Sequence, residues 1–327
     1  MIEILNQSTD PYFNMALEEY LMTESDRNED LFMLWQNRPT VVVGRNQNTI
    51  EEINQPFIEQ RGIAVVRRLS GGGAVYHDQG NLNFTFILND GRDFANFEKF
   101  TRPVIKTLAR LGIAAEHDGR NDIIIAGRKF SGNAQCKYRH RLLHHGTILF
   151  ASDIEDMVQA LNPSGAKITS KGIKSVRSRV TNISEHLSES LSISEFKQIL
   201  SEEVLGRDYE RVHSLGESEL EKVRQLREVK HSSWGWIYGA SPPFNLRRTG
   251  SFDWGHIDVR LDIKRGRICG CRIYGDYFAR GDIAELENRL VGTIHRPAEV
   301  RSCLATISLQ EYLPQMSDDE MIDLLLA

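Results

Sequence analysis

The sequence predicts an α/β protein with two domains. Short apolar runs of strand length alternate with stretches at helical spacing, a glycine-rich segment joins two of those runs, and the periodicity breaks near residue 240 before a new strand-rich stretch. The 327 residues suffice for one large core and a smaller one. Forty per cent of them are apolar and 26% charged, an ordinary globular profile. A net charge of −5 supplies no global basic field, so nucleic acid is not an expected partner. No apolar run reaches the roughly 20 residues of a membrane span, and MIEILNQSTDPYFN lacks the charged and apolar regions of a secretion signal. The four cysteines, Cys136, Cys269, Cys271 and Cys303, make no disulfide framework in a chain this long. Cys269 and Cys271 are also too close for CxxC chemistry. These features point to a reduced, cytoplasmic protein.

The elements follow in order. Asp10 and Pro11 form a helix start, a capping side chain before a proline at the first helical position. Phe13, Leu17, Tyr20 and Leu21 continue at helical spacing. LFMLWQN, TVVVGR, IAVVRRL and NLNFTFIL read as buried strands. Phe100, Val104, Thr107, Leu108 and Leu111 share one face, predicting a helix over Phe97 to Leu111. DIIIAG and TILF are short strands. From Ile154 to Arg227 the pattern is mostly helical around a polar loop, GAKITSKGIKSVRSRVTN. SSWGWIYGASPPFN, with two tryptophans and a Pro-Pro pair, breaks periodicity and marks a domain junction. GHIDVRLDIKRGRICGCRIYGDYF alternates apolar and polar residues around Lys-Arg-Gly, a hairpin signal. DIAELENRLVG, AEVRSCLATI and MIDLLLA read as short helices.

The glycine-rich segment, VVRRLSGGGAVYHDQGNLNFTFIL, is neither a P-loop nor a dinucleotide fingerprint. No lysine follows the glycines as GxxxxGK[ST] requires, and a strand follows rather than a helix. A bare glycine run is often a hairpin or bulge. Here Arg67 and Arg68 precede it and His77 and Asp78 leave it. Glycines let backbone N–H groups approach an anion, and an adjacent arginine adds bidentate charge, which together describe a phosphate cradle. GRNDIIIAGRKFSGNAQC adds to this. Asn121 and Asp122 open a strand and can hold a divalent cation or a hydroxyl. The chain turns at Ala126-Gly127, and Lys129 precedes SGNA, read as a small-residue loop able to close over a ligand. A surface lysine is ordinarily a solvated charge; beside such a loop it can pair with a carboxylate and a phosphate at once. His144 and His145 read as polar residues ahead of a strand, and no HExxH or Cys/His cluster supports zinc.

Taken together, DPYFNMALEEYL, LWQNRPTVVVGRNQNTIEEIN, RRLSGGGAVYHDQGNLNFTF, GRNDI, GRKFSGNAQ, HHGTILF and KGIKSVRSRVTNI resemble the blocks of lipoate–protein ligases, in that family's order and over most of the chain. The tail resembles the accessory domain of its larger members. The resemblance implies a catalytic domain over 1–242 and an accessory domain over 243–327. It also implies a mixed sheet flanked by helices, as in biotin ligases and class II aminoacyl-tRNA synthetases. The implied reaction uses lipoate, or octanoate, with ATP and Mg²⁺ to give an acyl-adenylate. The acyl group then passes to a lysine of a lipoyl domain, on a 2-oxoacid dehydrogenase E2 subunit or the glycine-cleavage H protein.

Carried onto this chain, Lys129 aligns with the catalytic lysine. Arg68 and the backbone of Gly71, Gly72 and Gly73 would hold phosphates, and Gly73, Ala74, Val75 and Tyr76 align with nucleotide contacts. Asn121 and Asp122 would hold Mg²⁺ or orient the incoming amine, with Asp122 the named metal ligand. Ser70, His77, Gly132 and Ala134 would line the carboxyl end of the acyl pocket, Leu17 and Trp35 its apolar tunnel, and His145 would also contact substrate. Lys171 to Thr181 would be a mobile basic loop over the adenylate, and Trp236 to Asn245 a hinge. The protein is expected to act as a monomer, off the membrane. Competing readings are an ATP-independent transferase that relays the acyl group through Cys136, a non-catalytic lipoyl-domain binder, and a biotin ligase.

Overall fold

The computed structural model describes residues 1–119, 121–161, 179–206, 212–238 and 245–326. They form two compact units. The first comprises Met1–Val43, Thr49–Arg68 and Ala74–Ile237; the second comprises Gly44–Asn48, Leu69–Gly73 and the C-terminal part from Tyr238.

The first unit is built on eleven strands: β1 (Ile2–Ile4), β2 (Leu31–Trp35), β3 (Thr40–Val43), β4 (Ala64–Arg67), β5 (Val75–His77), β6 (Asn81–Leu88), β7 (Ala115–Asp118), β8 (Asp122–Ile125), β9 (Arg128–Tyr138), β10 (Arg141–Leu149) and β11 (Val212–His213). Eight of them make a mixed sheet in the order β11-β1-β2-β6-β10-β9-β8-β7. A small sheet, β4-β3-β5, pairs β3 parallel to β4 and antiparallel to β5. The glycine-rich segment therefore crosses from one edge of that sheet to the other.

The large sheet is covered on both faces, which explains the unbroken apolar run of β2. Phe32 and Leu34 join Leu82, Phe84 and Phe86 of β6 against the helices Phe97–Arg110 and Ile193–Leu205, where Phe100, Val104, Leu108, Phe196 and Leu200 are buried. The alternate residues Leu31, Met33 and Trp35 join Met15, Leu17 and Leu21 of the helix Pro11–Thr23. That helix starts where predicted: the Asp10 carboxylate accepts from Tyr12 N at 3.2 Å, with Pro11 at the first position, a cap whose loss costs about 1 kcal/mol. Between residues 154 and 227 the helices Ile154–Ala160, Ile193–Leu205 and Glu217–Leu226 carry more than half of the described chain.

The second unit holds a three-stranded antiparallel sheet, β12 (Leu246–Phe252), β13 (Gly255–Lys264) and β14 (Arg267–Gly275). The expected hairpin turn is present: Arg265 and Gly266 both take positive φ, 52° and 71°, as a two-residue turn matched to strand twist requires. Helices Ile283–Leu290, Pro297–Leu304 and Asp318–Leu326 close its core around Val259, Leu261, Leu286, Val300 and Leu325.

Two expectations are corrected. SGNA is not a loop: residues 131–134 lie inside the eleven-residue strand β9, where pairing with β8 and β10 overrides their weak strand propensity. His144 and His145 do not precede a strand: both sit mid-strand in β10, and both are buried. Residues 171–178 of the basic loop and 239–244 of the expected hinge lie outside the described residues.

Candidate active site

Strand alternation sorts the site residues. On the face toward the Pro11–Thr23 helix, one row crosses four strands: Met33, Thr85, His145 and Ala134 are successive partners. His144, one residue earlier, pairs with Phe86 and points to the opposite, aromatic face. The period-two geometry of a strand thus gives adjacent histidines different surroundings.

The lysine is placed by a bulge. Asp122 pairs with Gly132 and Ile123 with Ser131, but Ile124 pairs with Lys129, so Phe130 is an extra residue on β9. Phe130 is fully buried in the aromatic core. Lys129 is turned back to the side of Gly132 and Asp122, the kind of re-aiming a bulge produces. Its Nζ lies 2.8 Å from Asp122 Oδ1. A Cβ at Gly132 would sit 3.0 Å from both Cε and Nζ of Lys129, so the bare backbone there leaves space for the ammonium. Both partners are about one-third exposed or more, and such a pair contributes only ~0–1 kcal/mol to stability. Its value is positional. The Lys129 backbone is anchored as well, donating to Arg179 O at 2.8 Å and accepting from Thr181 N at 2.9 Å.

Asn121, expected to orient an amine, has its side chain engaged: Nδ2 donates to Asn133 O at 2.7 Å. Of the two, Asp122 is the residue whose side chain meets the lysine.

His77 lies in β5 and is buried. Its Nδ1 accepts from Asn37 Nδ2 at 3.0 Å, with Asn83 Nδ2 at 3.4 Å. That assigns the proton to Nε2, which is buried without a protein partner among the described residues. Burial pulls the ring's pKa down to about 3, with Arg68 and then His145 adding to the shift. The ring is a neutral donor awaiting an acceptor. Trp35 stands edge-on to it, centroids 5.9 Å apart.

Under His145 runs a polar chain that the sequence reading missed. Trp35 Nε1 donates to Thr85 Oγ1 at 2.9 Å, Thr85 donates to Glu18 Oε1 at 2.6 Å, and His145 Nδ1 lies 3.0 Å from the same oxygen. Glu18 is fully buried. The signal was available: Asn81, Asn83 and Thr85 alternate along one face of an otherwise apolar strand, and a polar row in a buried strand must meet polar partners. Leu17 and Trp35 are both buried within this face's apolar cluster.

Arg68 follows β4 and is buried, with one guanidinium nitrogen donating to Val42 O at 3.2 Å. Burial lowers its pKa to about 10, opposed by Glu18 and reinforced by Arg67, so it stays charged at neutral pH. Arg67 has a tethering role instead, donating to Trp236 O and Ile237 O at 2.9 Å. Val75 and Tyr76 lie in β5 beside His77, and Ala74 leads into them.

Ser70, Gly71, Gly72 and Gly73 belong to the second unit. A Cβ on Gly71 would lie 2.1 Å from the backbone oxygen of Tyr277, and Gly72 N donates to that oxygen at 3.2 Å. Gly72 takes a φ of 89°, which requires glycine. Gly73 faces open space. The three glycines therefore differ: close packing fixes the first, conformation the second, and neither constrains the third.

No group of three or more His, Cys, Asp or Glu converges among the described residues. Asp122 alone, already paired with Lys129, does not make a protein-built metal site. No described helix is long and apolar enough to cross a membrane.

The family described as the lipoyl protein ligase A/B catalytic domain matches residues 10–205, and the bacterial lipoate protein ligase C-terminus matches residues 241–325. Lipoate–protein ligase 1 of Staphylococcus aureus is 44% identical over 98% of each chain. The crystal structure of P. falciparum LipL1 in complex with lipoate superposes with a TM-score of 0.81 at 26% identity, covering 99% of each chain. A bipartite lipoate protein ligase of Thermoplasma acidophilum, described with its E2 lipoyl domain, is 25% identical with a TM-score of 0.66, over 75% of this chain and 98% of its own. With the catalytic and C-terminal matches in sequence order and near-full-length relatives, the chain belongs to the lipoate–protein ligase family.

Proposed function

We propose that this chain is an ATP-dependent ligase that activates lipoate as lipoyl-AMP and transfers the lipoyl group to a lysine of lipoyl-domain proteins. The observation that carries the reading is the ammonium of Lys129, presented by the bulge over bare backbone at Gly132 and held 2.8 Å from Asp122. The names of the relatives support it.

In the first step a carboxylate oxygen of lipoate attacks the α-phosphorus of ATP, and the bond to the β-phosphate breaks to release pyrophosphate. Two anions must approach, so positive charge between them lowers the barrier. Lys129 supplies one charge and Arg68 a second. The Nε2–H of His77, without a partner among the described residues, is a donor for a carboxylate oxygen. Ser70, Ala134 and His145 would complete the acid's surroundings, and Leu17 and Trp35 would line the acyl tunnel, where apolar area is nearly all the chain offers for binding. The backbone from Gly71 to Tyr76 would hold the nucleotide. Magnesium keeps several waters and binds through one or two carboxylates plus substrate phosphates; it would arrive with the nucleotide, and Asp122, partnered with Lys129, is the carboxylate proposed to contact it.

In the second step the neutral acceptor amine attacks the acyl carbon, the carbon–oxygen bond to AMP breaks as AMP leaves with the electron pair, and the amine's proton passes to solvent. Lys129 stabilises the departing phosphate, and Asp122 is placed to orient the amine. We assign 1–242 to the catalytic domain and 243–327 to the accessory domain, and read the protein as a cytoplasmic monomer. The acceptors would be E2 subunits or the glycine-cleavage H protein, a reading that the Thermoplasma relative and its E2 lipoyl domain support.

The test is the intact mass of purified lipoyl domains after incubation with the protein, lipoate and Mg²⁺, with and without ATP. A lipoyl mass gain only with ATP, lost in Lys129→Ala, supports the ligase. A gain from an acylated donor without ATP overturns it in favour of the Cys136 relay.

A further inference from the structure

We propose that Asn133, itself fixed by His144, is a positioning residue for the Asp122–Lys129 pair. The role rests on the reading of Lys129 above. Neither residue belongs to the substrate row: Asn133 and His144 alternate away from it, toward the aromatic face.

Every contact of the chain is present. Asn121, which leads directly into Asp122, is held by three hydrogen bonds to Asn133. Its carbonyl accepts from Asn133 N at 3.0 Å and from Asn133 Nδ2 at 2.9 Å, and its own Nδ2 donates to Asn133 O at 2.7 Å. With Nδ2 facing Asn121, and Ser131 Oγ at 3.2 Å, the amide oxygen of Asn133 faces His144 Nε2 at 3.3 Å. His144 Nδ1 in turn accepts from Gln135 Nε2 at 3.0 Å, and Gln135 Oε1 accepts from Ala95 N at 2.7 Å. Only the tautomer with a proton on Nε2 satisfies both ends. The ring cannot turn: it stacks on Phe100 at 4.5 Å and 17° and on Phe84 at 5.8 Å and 29°. Burial keeps it neutral, its pKa well below the ordinary value. Gly146, opposite Asn133, leaves the room; a Cβ there would lie 2.2 Å from Asn133 Oδ1.

The consequence is directional. The Lys129–Asp122 pair is partly exposed and weak, so it cannot hold itself in one geometry. The stacked imidazole is rigid. Asn133 connects the two, and a displacement of about 1 Å at a reacting group can cost up to about 100-fold in rate.

The test uses the full chain with Asn133→Ala, Asp122→Ala and the double variant, and with His144→Phe as a second route that keeps a ring in the aromatic stack. Two readings are taken: adenylate formation from lipoate and ATP, and acylation of Lys129 by an acetyl N-hydroxysuccinimide ester, followed by peptide mass spectrometry. The expected result is a roughly tenfold lower kcat for Asn133→Ala with KM within about twofold. The double variant should be no worse than Asp122→Ala alone, because coupled residues are non-additive. Lys129 should label several-fold faster in Asn133→Ala and in His144→Phe, an ammonium released from its carboxylate being more available. Losses that multiply in the double variant, or unchanged Lys129 labelling in Asn133→Ala, overturn the proposal. If the wild type forms no adenylate, the ligase reading fails, and the labelling still decides the positioning.

Discussion

Lys129 reaches Asp122 at 2.8 Å because the bulge at Phe130 brings Lys129 and Gly132, three residues apart, to the one face they share with Asp122. The pair contributes little to folding, and its replacement should register in chemistry rather than in stability.

Lys129→Ala should therefore lower lipoyl transfer by about 10²–10³-fold or more, the scale for removing a transition-state donor, while leaving the melting temperature almost unchanged. Intact-mass time courses on a lipoyl domain, beside thermal melts, check both halves. A large fall in melting temperature would contradict the energetic reading of the pair.

The first and third glycines should separate by substitution. Gly71→Ala must displace the Tyr277 backbone, since its Cβ would sit 2.1 Å from that oxygen; overpacking of this kind costs about 1–3 kcal/mol. Gly73→Ala meets open space, so stability should hold while nucleotide affinity falls if phosphate approaches that backbone. Calorimetric ATP titration and denaturant midpoints on the two variants give the comparison, and equal behaviour would sink it.

Acid should weaken the fold through its buried imidazoles. His77 is neutral in the native protein, with a pKa near 3 against an ordinary 6.5. Between those values the unfolded chain binds a proton that the folded chain does not, so stability falls as pH drops below 6.5 and the loss is complete near 3. The slope is about 1.4 kcal/mol per pH unit for one such group. His144 acts in the same direction. Urea midpoints from pH 7 to pH 5 should fall less steeply for His77→Asn than for wild type.

Cys136→Ser should leave ATP-dependent lipoylation within about twofold, a small swap at a half-buried position costing little. Cys136 on β9 pairs with Leu143 of β10 and lies within electrostatic range of Arg68, which is why a thioester relay merits the comparison. Loss of all transfer in this variant would favour the relay.

Much of this was legible in the chain. The Asp10–Pro11 start, the Phe97 helix and the hairpin around Arg265-Gly266 each carry local signals, a cap, a periodic face or a turn, and they fold as read. SGNA and the paired histidines were misread because their strand membership is imposed by neighbours: Gly132 has no propensity for strand, but Asp122 and the β10 strand hold it there. Glu18 escaped because a helix reading treats Glu18-Glu19 as one acidic step. In the structure the first carboxylate is fully buried against Thr85 and His145, and the second pairs with Lys230. Sequence spacing locates such residues; only the crossing of strand and helix says which of two neighbours turns inward.

The bulge also bears on how chain length is constrained. Removing Phe130 would leave Lys129 two positions before Gly132, on the same face of a now regular strand, and would take a buried aromatic ring out of the core. An in-frame loss of that one residue would then register in the packing of the core before it changed the side the lysine faces. For chains that resemble this one, the parity of the interval between the lysine and the glycine is the quantity to read: an odd interval, as here, needs a bulge to bring both to one face, and an even one does not.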